Sequence, residues 1–306
     1  MNAIQPTPEQ AALIRRALGT EEPLPELEPI PGGLTNHSFR FRFGGGEYLL
    51  RVPGPGTAEI IDRHHEAAVY AAIHDSTLTD DLIILDPDTG MKISRYWPQA
   101  RNCNPADDGD ATASMALLRE FHSRRLHVAH TYSIFREIRN YQRLMTDPSE
   151  YADHAQVQAR CIGMAPWLDR FRGEYILSHC DTVSDNFLFI PGPEGEELHL
   201  IDWEYSGEHD PLADISMFAS YGSYDRARTD WLMECYFEGE PTLSERLRVY
   251  AYLALTGMMW SNWAEYKKQR GVVYEDYDAA AQYRYADEFS RLFWELLPPG
   301  EAGGLR

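Results

Sequence analysis

Read along the chain, the apolar positions change period several times, and the breaks between periods mark the predicted elements. Met1 to Thr20 patterns as an amphipathic helix, with Ala11–Leu18 its clearest stretch and Gly19 its stop. A Pro- and Glu-rich linker runs to Pro31. Short strand-like runs follow at Leu27–Ile30, Ser38–Phe43 and Tyr48–Val52, separated by Gly32-Gly33 and by Gly44-Gly45-Gly46 as hairpin signals. A helix over Ile60–Ile73 and strands at Leu82–Leu85 and Lys92–Tyr96 complete a small sheet with one helix. From Pro98 the period becomes mainly helical, over Ala113–Leu126, Phe135–Met145, Ala155–Asp169, Asp214–Phe218, Arg226–Phe237, Ser244–Tyr266 and Tyr277–Leu297. A strand-rich insert interrupts it at Tyr175–Leu177, Phe187–Ile190 and Leu198–Ile201, with Pro191–Gly195 as a turn.

This pattern predicts an α+β fold of two lobes. Residues 1–97 form an antiparallel-sheet lobe with one helix, and residues 98–306 form a mainly helical lobe. Ligands of such a plan usually lie in a cleft between lobes.

Composition narrows the partners. With 48 acidic against 28 basic side chains the formal charge is −20, which disfavours nucleic acid and anionic lipid surfaces. The N-terminus lacks the apolar centre of a signal peptide, and the longest apolar run, Val249–Trp260, is too short to span a bilayer. Cys103, Cys161, Cys180 and Cys235 show no CxxC spacing, so reduced thiols in a cytoplasmic protein are expected.

The most informative segment is Ser178-His179-Cys180-Asp181-Thr182-Val183-Ser184-Asp185-Asn186, which has the H-x-D-x-x-x-x-N spacing of a phosphotransferase catalytic loop. Such chemistry needs a carboxylate to accept a hydroxyl proton, here Asp181, and a side-chain oxygen shortly after it to bind a metal, here Asn186. Asp202, placed straight after the apolar strand Leu198–Ile201, adds a second oxygen donor of the kind Mg²⁺ takes. Asp and Asn are common in turns, so the loop gains its meaning from being paired with the strand-borne acid. His179 reads as a packed structural residue. Arg51, ending the strand Tyr48–Val52, is the cation for the phosphates of a nucleotide, and Glu66 on the next helix is its ion-pair partner. Gly32-Gly33-Leu34-Thr35-Asn36 could turn backbone N–H groups toward phosphate, and no Walker A sequence is present.

Together, Gly32–Asn36, Leu50-Arg51-Val52, Glu66, His179-x-Asp181-x-x-x-x-Asn186 and Ile201-Asp202-Trp203-Glu204-Tyr205 resemble the choline/ethanolamine kinases, within the aminoglycoside phosphotransferase and protein-kinase-like superfamily. The resemblance is nearest to the bacterial choline kinases and runs from about residue 28 onward. It implies a protein-kinase-like two-lobe fold and Mg²⁺-assisted transfer of the ATP γ-phosphoryl to choline. By that likeness Asp181 is the base, Asn186 and Asp202 are the Mg²⁺ ligands, and Arg51, Glu66 and Asn36 serve ATP. Lys92–Tyr96 carries the adenine-facing hinge, with Tyr96 at its end, and Asp214 braces the catalytic loop. Where animal members carry an acidic residue, this chain has Tyr221.

A quaternary ammonium has no N–H, so aromatic faces must hold it. Trp260 and Trp263, three apart on a predicted helix, and Tyr277 match the aromatic positions of choline kinases, and Glu204 offers a carboxylate near the cation. Taken alone, aromatics at helical spacing are more often core. Ethanolamine, an amino sugar or aminoglycoside, and thiamine remain alternative acceptors, and a catalytically silent nucleotide- or amine-binding protein is the alternative from another class. Homodimerisation is left open.

Overall fold

The computed structural model describes residues 3–31, 36–54, 56–57, 61–74, 79–272 and 278–301. Gly32–Thr35, Tyr274 and Tyr277 therefore lie outside the described residues. The chain divides into two compact units: Met1–Cys103 with Asp185–Ser206, and Asn104–Ser184 with Gly207–Arg306. Chain order alone put residues 185–206 in the second segment; the structure groups them with the first unit.

In the first unit, helix α1 (Pro8–Leu18) starts at a capping box between Thr7 and Gln10 and stops at Gly19, whose φ of 61° suits glycine. Strands β1 (Glu28–Ile30), β2 (Asn36–Phe43), β3 (Gly46–Pro53), β4 (Leu82–Leu85) and β5 (Lys92–Arg95) form one antiparallel sheet in the order β1-β2-β3-β5-β4. Leu13 and Ile14 of α1 pack with Leu27, Phe41, Leu50, Met91 and Ile93 as its core. Helix α2 (Arg63–Ala72) is capped by Asp62, whose side chain accepts from the His64 and His65 N–H groups. The second sheet of this unit is β6 (Arg101–Asn102), β8 (Phe187–Gly192) and β9 (Gly195–Leu200). The β8–β9 hairpin joins the rest through a parallel bridge between Leu200 and Thr79 and through His199 Nδ1, 2.6 Å from the Thr79 carbonyl.

The second unit is helical: α3 (Asp108–Ser123), α4 (Ile134–Leu144), α5 (His154–Ile162), α6 (Ala165–Phe171), α7 (Leu212–Tyr221), α8 (Arg226–Phe237), α9 (Leu243–Gln269) and α10 (Ala279–Leu296). The helix expected over Ala155–Asp169 is two, because Gly163 ends α5 and Pro166 opens the first turn of α6. Strand β7 (Ile176–Ser178) pairs antiparallel with β10 (Gly207–His209). Helix α9 is buried on nearly every side over Val249–Met259. Gly257 lets α10 approach, since a Cβ there would stand 2.5 Å from the Gln282 carbonyl oxygen. Among the described residues, no helix is long and apolar enough to cross a membrane.

Candidate active site

In the first unit, helix geometry and strand register converge on one buried cluster of charge. Arg63 and Glu66, three apart, share a face of α2. Arg51 on β3 lies under it, only 5 % exposed. The Arg51 guanidinium donates through Nη2 to Glu66 Oε1 and through Nη1 to Asp202 Oδ1 at 2.7 Å, with Glu204 Oε2 3.4 Å from Nη1. Arg63 Nη1 donates to Glu66 Oε2 at 2.9 Å and to Glu204 Oε2 at 2.8 Å. Asn36 closes the ring, its Nδ2 donating to Glu204 Oε2 at 2.9 Å. The structure thus brings Asn36, Arg51, Glu66, Asp202 and Glu204 together and adds Arg63, which sequence reasoning missed. Burial works to lower the Arg51 pKa, but the charges of Glu66, Asp202 and Glu204 outweigh it and raise it above its ordinary value.

Lys92 is paired directly opposite Arg51 across β3 and β5. Two opposed cations repel. Each has its own counter-charge: Lys92 Nζ donates to Asp80 Oδ2 at 3.0 Å and to the Tyr70 hydroxyl, which in turn donates to Asp80. Lys92 is therefore held on the α2 side of the sheet, beside Arg51, by Tyr70 of α2 and Asp80. Tyr96, just past β5, is half-buried and donates its N–H to the Glu47 carbonyl at 3.0 Å.

Asn186 and Asp202 flank the open end of the β8–β9 hairpin. The last ladder pair is Phe187 with Leu200, and beyond it the Ile201 N–H donates to the Asn186 carbonyl at 2.9 Å. Asp202 has φ 67°, left-handed backbone that a non-glycine residue rarely adopts. That turn takes its carboxylate to Arg51 while leaving 30 % of its side chain exposed.

The donor set fits a divalent cation. The cluster holds two guanidiniums against three carboxylates, Glu66, Glu204 and Asp202, and so carries an excess negative charge. Its exposed member is an oxygen donor, and Mg²⁺ prefers one or two such donors completed by water and phosphate. It also fits a phosphate: Arg51 Nε is buried and has no hydrogen-bond partner among the described residues, a donor left over inside an otherwise paired group. Glu204, named above as a carboxylate for the acceptor's cation, has its charge already met by two guanidiniums at 5 % residue exposure.

In the second unit, Asp181 follows β7 on a turn that is tightly held. Asp214, fully buried on α7, accepts from the His179 N–H at 2.9 Å and the Cys180 N–H at 2.8 Å. His122 Nε2 lies 3.0 Å from Asp214 Oδ2, while its Nδ1 meets the Tyr236 hydroxyl at 2.9 Å. Thr182 Oγ1 donates to the Asp214 carbonyl. Cys180 itself is left-handed, φ 62°. Burial favours the protonated Asp214, yet the His122 hydrogen bond and charge, with His179, prevail and hold its pKa below the ordinary carboxylate value. Asp181 is half-buried, and its carbonyl accepts from the Val183 N–H at 2.9 Å.

The tryptophans of α9 stand edge to face, ring centroids 5.5 Å apart at 89°. Trp260 is half-buried, whereas Trp263 is 1 % exposed and one of the largest fully buried side chains. Tyr132 connects this helix to β10, the strand paired with β7. Its N–H donates to Glu208 of β10, its hydroxyl to Met259 Sδ beside Trp260 at 3.0 Å. Burial, then Cys180, Glu137, Tyr141 and Asp181, push its phenol well above the ordinary value. The sequence held a signal for Arg63, three residues before Glu66, but none for Tyr132.

Set against known proteins, the chain matches the choline/ethanolamine kinase family model over residues 27–253. Protein LicA of Haemophilus influenzae is 24% identical over 259 residues, covering 80% of this chain and 75% of that protein. The choline kinase LicA from Streptococcus pneumoniae superposes with a TM-score of 0.76 at 21% identity, over 93% of this chain and 99% of that one. A LicA structure in complex with AMP gives 0.77 at 21% identity, over 94% and 100%. The fold is the protein-kinase-like one expected, and the chemistry is phosphoryl transfer to an alcohol. On the match over residues 27–253, the chain belongs to the choline/ethanolamine kinase family.

Proposed function

We propose that the protein transfers the γ-phosphoryl of ATP to the hydroxyl of choline. The bond from γ-phosphorus to the β–γ bridging oxygen breaks, the choline oxygen forms the new bond, and its proton passes to Asp181; ADP and phosphocholine leave. The observation that carries the reading is the Arg51 guanidinium, held by Glu66 on one arm and Asp202 on the other, with Nε buried and without a partner among the described residues. Such a group is poised for phosphate. In this reading the first unit takes the nucleotide, with Tyr96 at the adenine-facing hinge and Asn36 holding Glu204 in place. Asn186 and Asp202 would hold Mg²⁺, which supplies charge neutralisation on the phosphates. Catalysis then rests on positioning and electrostatics, as phosphoryl transfer generally does.

Choline is favoured over an amine by where the charges go. Glu204 is spent on Arg51 and Arg63, so it offers no free carboxylate to a primary ammonium. Trp260 keeps an exposed aromatic surface that suits a quaternary ammonium. In this reading Trp260 and Tyr277 hold the trimethylammonium group in a protein of the cytoplasm, while the buried Trp263, expected from the sequence to share that contact, fixes the Trp260 ring edge to face. An ADP-release assay with choline, ethanolamine, an aminoglycoside and thiamine tests it. Choline should give the highest kcat/KM; silence with every acceptor would remove the enzymatic reading, and preference for ethanolamine would replace the acceptor.

A further inference from the structure

We infer that Arg63 is a positioning residue for the nucleotide: it neutralises Glu66 and Glu204 from behind, which leaves Arg51 able to exchange Asp202 for phosphate. The inference rests on the reading of Arg51 and Asp202 just given, and deepens it.

The geometry shows competition for one guanidinium. Arg51 faces three carboxylates, Glu66, Asp202 and Glu204, all within 3.4 Å or less. An arginine so surrounded is a poor phosphate ligand, because binding an anion means leaving a carboxylate buried and uncompensated. Arg63 changes this. Its Nη1 is shared between Glu66 Oε2 and Glu204 Oε2, at 2.9 and 2.8 Å, and Nη2 lies 3.5 Å from Asn36 Oδ1. Glu204 therefore keeps two hydrogen bonds, from Arg63 and Asn36, and a share of the Arg63 charge without Arg51. Glu66 keeps one oxygen on each arginine. Among the described residues of the cluster, Asp202 is the carboxylate paired with Arg51 alone, and it is the one a divalent cation would take over. Arg63 contacts neither the exposed Asp202 nor the left-over Arg51 Nε; it works through Glu66 and Glu204.

Removing it has a defined signature. Arg63→Gln raises the excess negative charge of the cluster by one and makes Glu204 compete for Arg51. Binding of a non-hydrolysable ATP analogue, followed by calorimetry with and without Mg²⁺, should weaken about 10- to 100-fold, with the larger loss in the absence of Mg²⁺. Adding Glu204→Gln removes the stranded carboxylate as well. The double variant should recover much of that affinity, a coupling that general loosening of the fold would not produce. Arg63→Lys keeps the charge and should fall between wild type and Arg63→Gln; it also serves as the measured variant if Arg63→Gln does not fold. Analogue affinity within twofold of wild type in the variant measured, or no recovery in the double variant, would overturn the inference. Asp202→Asn runs alongside: if it retains the full Mg²⁺ enhancement of analogue binding, the underlying assignment of Asp202 fails, whatever Arg63 does.

Discussion

The protein contains two buried charge networks built from similar parts, and they differ in how completely they are closed. Around Asp214 every contact is internal: two backbone N–H groups and a histidine converge on one carboxylate with no exposure. Around Arg51 the ring is open at one place, where Asp202 remains 30 % exposed and Arg51 Nε has no partner among the described residues. A closed network fixes a loop, and opening it can only cost stability. An open one holds groups in readiness for a ligand that completes it. Burial and ion pairing alone therefore do not separate a ligand site from a structural brace; at Arg51 a partly exposed carboxylate adds the difference.

The largest effect should come from the group that the closed network holds in place. Asp181→Ala should lower kcat by about 10²–10⁴-fold, the usual range for a lost general base. Affinity for the ATP analogue should stay near wild type, since Asp181 belongs to the second unit and the Arg51 cluster to the first. Unchanged turnover would remove Asp181 from the chemistry. Loss of analogue binding in the same variant would show that the division of labour between the two networks is drawn in the wrong place.

Breaking the closed network directly should appear as stability. Asp214→Ala leaves the His179 and Cys180 N–H groups and His122 without their carboxylate and should cost about 3–5 kcal/mol in denaturant unfolding. Asp202→Ala, from the open network and partly exposed, should cost far less stability while removing activity. Equal destabilisation by the two would erase the distinction between closed and open. The pH dependence follows from the depressed Asp214 pKa. An aspartate whose folded value lies below its unfolded value of about 3.9 contributes stability above that pH, and the contribution is lost as pH falls through the folded value. The stability gap between wild type and Asp214→Asn should therefore be widest near neutrality and narrow below about pH 4. A gap constant through the acid limb would mean that the charge on Asp214 is not what holds the loop.

How much of this was legible depended on chain distance. The spacing from His179 to Asn186, the strand before Asp202 and the alternation around Arg51 are local, so the sequence exposed them. The brace needs His122 to meet Asp214 across 92 positions, and the ring needs Arg63 to meet Glu204 across 141. No periodicity records such a pairing. Arg63 therefore carries no assignment from the sequence, and Glu204, beside Asp202 in the chain, reads as an acceptor carboxylate although the fold gives it to the arginines. Among the elements, α8 and β4 match their predicted ranges, because their apolar pattern and flanking turns agree. The strands β6 and β10, two and three residues long, are too short to carry a period and exist through their partners β8 and β7.

The smallest effects on catalysis concern the tryptophans, where the same contrast of open and closed recurs on one helix. Trp260 is half-buried and Trp263 is sealed, although they touch edge to face. If both served only as core, each truncation would lower stability and leave substrate constants alone. If Trp260 presents its ring to the trimethylammonium group, Trp260→Ala should raise the choline KM about 2- to 30-fold, the equivalent of about 0.5–2 kcal/mol, with the ATP KM unmoved. Trp263→Ala opens a cavity under it and should cost about 3–5 kcal/mol of stability as well. A choline KM that stays at the wild-type value in a folded Trp260→Ala protein would return that residue to the core, and with it the strongest reason for preferring a quaternary acceptor over a primary amine.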